Sequence, residues 1–246
     1  MESVNAVISQ WIGKREHQED AYFVQHFPEG TLAVVCDGMG GHQYGDLASK
    51  TAVKAFVSAF GVHRDCSVSM RLEYALEEAN DAVGDLFNEA DAFGGTTLLA
   101  AFIGGGVLWW ISVGDSPLYL WRKGRLLRLN EDHSMRAVYM QYVREGCLTF
   151  EEALHKGHSL RSAVTGNALS MVDSPVTPYP LLPGDRLLLT SDGTDDLLYT
   201  PVLTDKVKEV MEDRSGNLSA RVVEACRALD MPYADNVTVV SMDWDA

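Results

Sequence analysis

Hydrophobic positions along the 246-residue chain follow two rhythms. The run 32–36 is unbroken, apolar and rich in β-branched residues, as befits a strand covered on both faces, and Asp37-Gly38 predicts a turn that ends it. Leu187-Leu-Leu-Thr-Ser-Asp-Gly193 repeats that design, and Ala234-Asp-Asn-Val-Thr-Val-Val240 mirrors it, with Asp235 entering the strand. Residues 4–11 and 21–24 predict further strands, joined by the polar connection 13–20. The second rhythm is helical. A helix is predicted over about 43–60, and Val68, Leu72, Leu76, Ala79, Val83, Leu86 or Phe87, and Ala90 recur three and four apart on one face of another. The opposite face of that helix carries Glu73, Glu77, Glu78, Asp81 and Asp85, a solvated surface.

Gly104-Gly105-Gly106, Gly114-Asp-Ser-Pro117 and Lys123-Gly124 cut the block 95–129 into short segments, which predicts consecutive antiparallel strands in a meander. Its central strand is expected at 107–113, and Asp115 falls in the strand-to-strand turn that follows. From 132 to 176 the pattern is irregular and helical. Ser134 is placed to cap a helix over 137–144 that Gly146 ends, and Thr149-Phe-Glu-Glu152 reads as a capping box for a second. Position and length make 132–176 an insertion between strands. After a strand at 186–191, helices are expected at 202–211 and 218–229, then a last strand at 237–242. Helices follow strands without strict βαβ alternation, which favours an α+β class with strand groups stacked face to face beneath outer helices.

Composition narrows the function. With 46% apolar and 22% charged residues the chain can build a sizeable core, and no Pro/Gly/Ser-rich linker divides it, so a single domain over 1–246 is expected. A formal charge of −15 argues against nucleic acid as the main partner. It also means that an anionic substrate would need local cations. Cys36, Cys66, Cys147 and Cys226 have no C-x-x-C spacing, which indicates neither a zinc site nor a disulfide framework. No uninterrupted apolar run reaches the ~18 residues of a membrane span, so a cytoplasmic monomer without membrane association is the expectation.

Three strand ends each deliver an aspartate, and gathered carboxylates repel one another unless cations join them. The chain resembles the metal-dependent protein phosphatases of the type 2C, or PPM, family in its compact bacterial form. The resemblance rests on Arg15 to Asp20, Val35-Cys-Asp-Gly-Met-Gly-Gly-His42, Gly94-Gly-Thr-Thr97, Val113-Gly-Asp-Ser116, Leu189-Thr-Ser-Asp-Gly193 and Asp235-Asn236, all in the family's order. It implies a four-layer αββα sandwich, two mainly antiparallel sheets flanked by helices, with 132–176 as its flap. It further implies that Asp37 bridges two metal ions, that the Gly38 carbonyl binds one, and that Asp192 and Asp235 complete the other. Glu19 and Asp20 would act through water, Arg15 would hold the substrate phosphate, and Asp115 would bind a third, weaker ion.

All-oxygen ligands select hard cations, Mg²⁺ or Mn²⁺, and two such ions can activate a bridging water for in-line attack at phosphorus. The implied reaction is hydrolysis of phosphoserine and phosphothreonine in proteins, opposing a serine/threonine kinase. The catalytic set would be Arg15, Asp37, Asp192 and Asp235. No cysteine has an arginine six positions on, so a phosphocysteine route is absent. Met39 stands where some family members have histidine, and His42 is expected to be structural. Gln18 replaces the usual asparagine. Pro117 replaces the arginine that commonly follows Gly-Asp-Ser, so a frequent ion pair is expected to be missing. His133, His155 and His158 are expected at the surface. The rival reading is a pseudo-phosphatase that binds phosphoproteins without turnover.

Overall fold

The structure, a computed structural model, describes residues 3–40, 44–157, 159–199 and 204–245. In chain order its elements are β1 (Ser3–Trp11), β2 (Asp20–Phe27), β3 (Gly30–Met39), α1 (Tyr44–Val62), α2 (Val68–Ala90), β4 (Gly95–Thr96), β5 (Leu98–Gly104) and β6 (Val107–Val113). Then come β7 (Leu118–Arg122), β8 (Arg125–Arg128), α3 (Met135–Arg144), α4 (Phe150–Lys156), β9 (Tyr179–Pro180) and β10 (Asp185–Thr190). A 3-10 turn (Asp192–Thr194) leads into α5 (Asp195–Leu198), followed by α6 (Thr204–Glu212), α7 (Leu218–Ala228) and β11 (Val237–Asp245).

The strands form two sheets, ordered β1-β11-β10-β7-β8 and β2-β3-β5-β6-β9, with β4 added beside β3. Every named pairing is antiparallel. Side-chain alternation sorts the core into three layers. On β3, Leu32, Val34 and Cys36 face α1 and α2, whereas Ala33 and Val35 face the other sheet. On β10 and β11, Leu187, Leu189, Val240 and Met242 meet them from the opposite side, and Leu188, Val237 and Val239 turn outward under α6 and α7. The result is the expected αββα sandwich. The apolar stripe of α2 is buried at Leu72, Leu76, Ala79, Val83 and Phe87, while its acidic residues stay exposed.

Three local expectations are corrected. Strand β3 runs through Asp37-Gly38 to Met39, because Gly38 and Met39 find a ladder partner in β4. Gly38 also lets α1 approach: a Cβ there would lie 2.1 Å from the Gly45 carbonyl oxygen. The block 95–129 is not one meander. β5 and β6 lie in one sheet and β7 and β8 in the other, so Gly114 to Pro117 is a crossover between sheets. β6 is therefore flanked by β5 and only the two-residue β9, not placed centrally.

Within 132–176 the caps behave as read. Ser134 caps α3, and Thr149 and Glu152 exchange bonds, with the Thr149 N–H donating to Glu152 Oε2 at 2.9 Å and the Glu152 N–H to Thr149 Oγ1 at 3.2 Å. The predicted starts at Gln43 and Val202 lie outside the described residues.

Candidate metal centre

Both sheets open at the same end. β1 runs into that end and β2 leaves it, β3 and β6 run in and β7 leaves, and β10 runs in before β11 leaves. The connections there carry Arg15 and Glu19 (β1 to β2), Asp115 (β6 to β7), Asp192 (after β10) and Asp235 (before β11). Asp37 sits near the end of β3 directly opposite Asp20 in the β2–β3 register, so the two carboxylates share a face. A cleft of about 740 Å³ results, lined by Arg15, Glu19, Asp37, Gly38, Asp115, Asp192 and Asp235 among others. Of the predicted site residues, Asp20 alone is not in the lining; it lies buried beneath.

Hydrogen bonds fix this floor. The Asp37 N–H donates to Thr97 Oγ1 at 2.9 Å, and its carbonyl accepts from Thr96 Oγ1 and the Thr97 N–H, both at 2.9 Å. Asp20 Oδ2 accepts from Thr238 Oγ1 at 2.6 Å and Ser191 Oγ at 2.8 Å, while its Oδ1 is buried without a partner. Gln18 Oε1 accepts the Asp20 N–H at 3.1 Å, so the longer amide still serves this turn. Asn236 clamps the loop that carries Arg15. Its Nδ2 donates to the carbonyls of Ile12 (2.8 Å) and His17 (3.0 Å), and its Oδ1 accepts the Glu19 N–H at 2.7 Å. Gly13, at φ +68°, allows that loop to press on Asp235, whose carbonyl oxygen a Cβ would meet at 2.1 Å.

Electrostatics at this floor favour added cations. Burial, and then the neighbouring carboxylates Asp20 and Asp192, push the Asp37 carboxyl well above its ordinary range. Asp192 is raised likewise, by burial and then by Asp115, Asp195 and Asp235. Burial lifts Asp20 to about 6 and raises Glu19. Among the described residues no ion pair reaches Asp20, Asp37, Asp192 or Glu19, and the only cation at Asp235 is Arg15, 2.5 Å away. Also among the described residues, no three His, Cys, Asp or Glu side chains converge as they stand into a closed chelate. Mutually repelling carboxylates splay, and a hard cation that keeps several of its own waters needs few protein ligands at once. Gathered carboxylates, an orphaned buried oxygen and an all-oxygen donor set fit Mg²⁺ or Mn²⁺.

Sequence reasoning missed several contributors. Thr96, Thr97, Ser191 and Asn236 lie inside the motifs that carry the resemblance, yet the motifs alone do not mark them as supports. The hydroxyl residue Thr238, set between the apolar Val237 and Val239, was the available signal for the inner face. Leu160 reaches the cleft from 132–176, and nothing in the sequence marks it. His133 is corrected outright: it is fully buried, its Nδ1 accepting the Gly114 N–H at 3.2 Å. His42 and His158 lie outside the described residues, as does the side chain of His155.

Fold and cluster together define a class, the PPM-type αββα sandwich. The catalytic domain of the serine/threonine protein phosphatase PstP, solved in complex with two manganese ions, superposes with a TM-score of 0.77 at 26% identity, covering 100% of each chain. The chain belongs to the protein phosphatase 2C family, whose model matches residues 10–225. It is 33% identical over 236 residues to the serine/threonine protein phosphatase PstP of Mycobacterium tuberculosis, covering 93% of this chain and 42% of that one, so it spans well under half of that relative. To the serine/threonine phosphatase stp of Listeria monocytogenes it is 29% identical over 240 residues, covering 94% of this chain and 92% of the other.

Proposed function

We propose that the chain is a metal-dependent phosphatase that removes phosphate from phosphoserine and phosphothreonine in proteins, opposing a serine/threonine kinase. The observation that carries this reading is that Asp37, Asp192 and Asp235, from three distant strand ends, all line one cleft, with no buried cation beside them among the described residues. Asp37, the Gly38 carbonyl, Asp192 and Asp235 would hold two ions, with Glu19 and Asp20 acting through water. When bound, such ions supply Lewis acidity toward phosphoryl oxygens and bring the pKa of water toward neutrality.

The chain's own groups do the rest. Arg15, 56% exposed at its side chain, is free to turn its planar fork from Asp235 to a phosphate dianion, which it suits geometrically. Asn236 and Gly13 hold the Arg15 loop in place. Thr97 and Thr96 fix the Asp37 backbone, and buried Ser191 and Thr238 orient Asp20. Cations in the cleft reconcile an anionic substrate with a chain of charge −15. Residues 132–176 serve as the flap of a single catalytic domain, contributing Leu160 to the rim.

The test is hydrolysis of p-nitrophenyl phosphate and of a phosphothreonine peptide at pH 7.5 with Mn²⁺, with and without EDTA. Turnover of both that EDTA abolishes is expected. Binding of the phosphopeptide without turnover would instead make the protein a phosphoprotein-binding module.

A further inference from the structure

Asp115 differs from the other cleft carboxylates: among the described residues it alone is met by a buried cation that the protein itself provides. Arg136, on the second residue of α3 and 5% exposed, sends its three guanidinium nitrogens to three carboxylates. Nη2 lies 3.5 Å from Asp115 Oδ2, Nε 3.3 Å from Asp132 Oδ2, and Nη1 donates to Asp195 Oδ2. Arg128 supports the same group, with Nη1 3.3 Å from Asp132 Oδ2 and Nη2 donating to the Asp115 carbonyl at 2.9 Å. The Tyr199 ring covers the Arg136 guanidinium at 4.9 Å and is itself stacked on Phe150. The Arg136 N–H donates to the Gly157 carbonyl at 3.1 Å, which ties α3 to the end of the α4 segment.

Pro117 replaces the arginine that commonly follows Gly-Asp-Ser in the family the chain resembles, and the structure brings a guanidinium to Asp115 from 132–176. A guanidinium cannot shed its charge at any ordinary pH, and its planar fork is held here from three directions. A divalent ion seated on Asp115 would face that fixed positive charge at short range in a poorly solvated setting, where repulsion is strong. We propose that Arg136 is the resident counter-cation of Asp115, standing in for a third metal ion and positioning the Asp115 carboxylate at the cleft wall. This inference rests on the two-ion reading above. It makes Asp115 a carboxylate that the protein neutralises and Asp37, Asp192 and Asp235 the ones left to divalent ions.

The experiment counts Mn²⁺ bound at saturation, by the electron paramagnetic resonance signal of free Mn²⁺ and by calorimetry, on metal-stripped protein whose fold is checked by circular dichroism. The wild type, Asp115→Asn and the charge-preserving Arg136→Lys are each expected to bind two ions. Arg136→Gln is expected to bind a third, weaker ion, lost again in Arg136→Gln/Asp115→Asn. Should Arg136→Gln fail to fold because Asp195 is left unpaired, the double variant Arg136→Met/Asp195→Leu removes the ion pair as a unit and is expected to show the same third ion. Three ions in the wild type, falling to two in Asp115→Asn, would overturn the inference, as would a folded Arg136 variant lacking positive charge that stays at two. A wild type that takes up no Mn²⁺ would overturn the two-ion reading itself.

Discussion

Asn236 shows how one side chain can matter to a reaction it does not touch. Its amide makes three hydrogen bonds to the backbone of the loop that carries Arg15, and it is buried. Asn236→Ala leaves those backbone groups without their partner, a loss of about 1–3 kcal/mol. It also frees the loop, so KM for a phosphopeptide should rise severalfold. Arg15→Ala should raise KM comparably while leaving stability to urea near wild type, because Arg15 is exposed and its ion pair with Asp235 lies at the surface. An Arg15→Ala protein with unchanged KM would remove that residue from phosphate binding. At this scale the candidate ligands were legible because an aspartate closing or opening a long apolar run is conspicuous. Their supports were not, since a hydroxyl such as Thr238 looks like ordinary strand composition until its partner Asp20, far away in sequence, is placed beside it.

Among elements, the end of β3 is held by two neighbours at once. Thr97, between β4 and β5, accepts the Asp37 N–H and shares a 2.7 Å hydroxyl bond with Ser116 in the crossover between sheets. Thr97→Val keeps the shape and deletes the bonds, leaving a buried N–H and a buried hydroxyl unmatched. Loss of about 1–3 kcal/mol is expected, with weaker Mn²⁺ binding and a lower kcat as Asp37 drifts, whereas Thr97→Ser should retain most of both. Calorimetric Mn²⁺ titration of the two variants checks this; equal affinities would show that Asp37 needs no such anchor. Strand and helix positions here were readable from periodicity. The partition of strands between sheets was not, because Gly114-Asp-Ser-Pro117 is as good a sequence for a hairpin as for a crossover, and only the burial of both faces decides. The burial of His133 follows from the same crossover, whose Gly114 N–H it accepts.

For the molecule as a whole, the carboxylate floor sets stability against metal and proton. Burial, and then neighbouring negative charge, raise Asp37 and Asp192, and burial raises Asp20 from 3.8 to about 6. A carboxyl whose pKa is raised by folding stabilises the folded state below its unfolded value and loses that contribution as pH rises through the folded one. For Asp20 the window is therefore 3.8 to about 6. At pH 5 the metal-free protein should gain about 1 kcal/mol from this group alone relative to pH 7.5, with Asp37 and Asp192 acting in the same direction. The buried His133, whose pKa is lowered by desolvation, opposes this as pH falls below 6.5. The opposing term is the same with and without metal, so it cancels in the difference between Mn²⁺ and EDTA. Mn²⁺ binds the ionised cluster and stabilises by roughly 2.7 kcal/mol at a hundredfold excess over its Kd, but at pH 5 it must first displace protons. The Mn²⁺-induced shift in urea midpoint should thus be large at pH 7.5 and much smaller at pH 5, and in Asp37→Asn/Asp192→Asn it should nearly vanish at both. A shift that is equal at the two pH values would mean that the ions bind somewhere other than this floor.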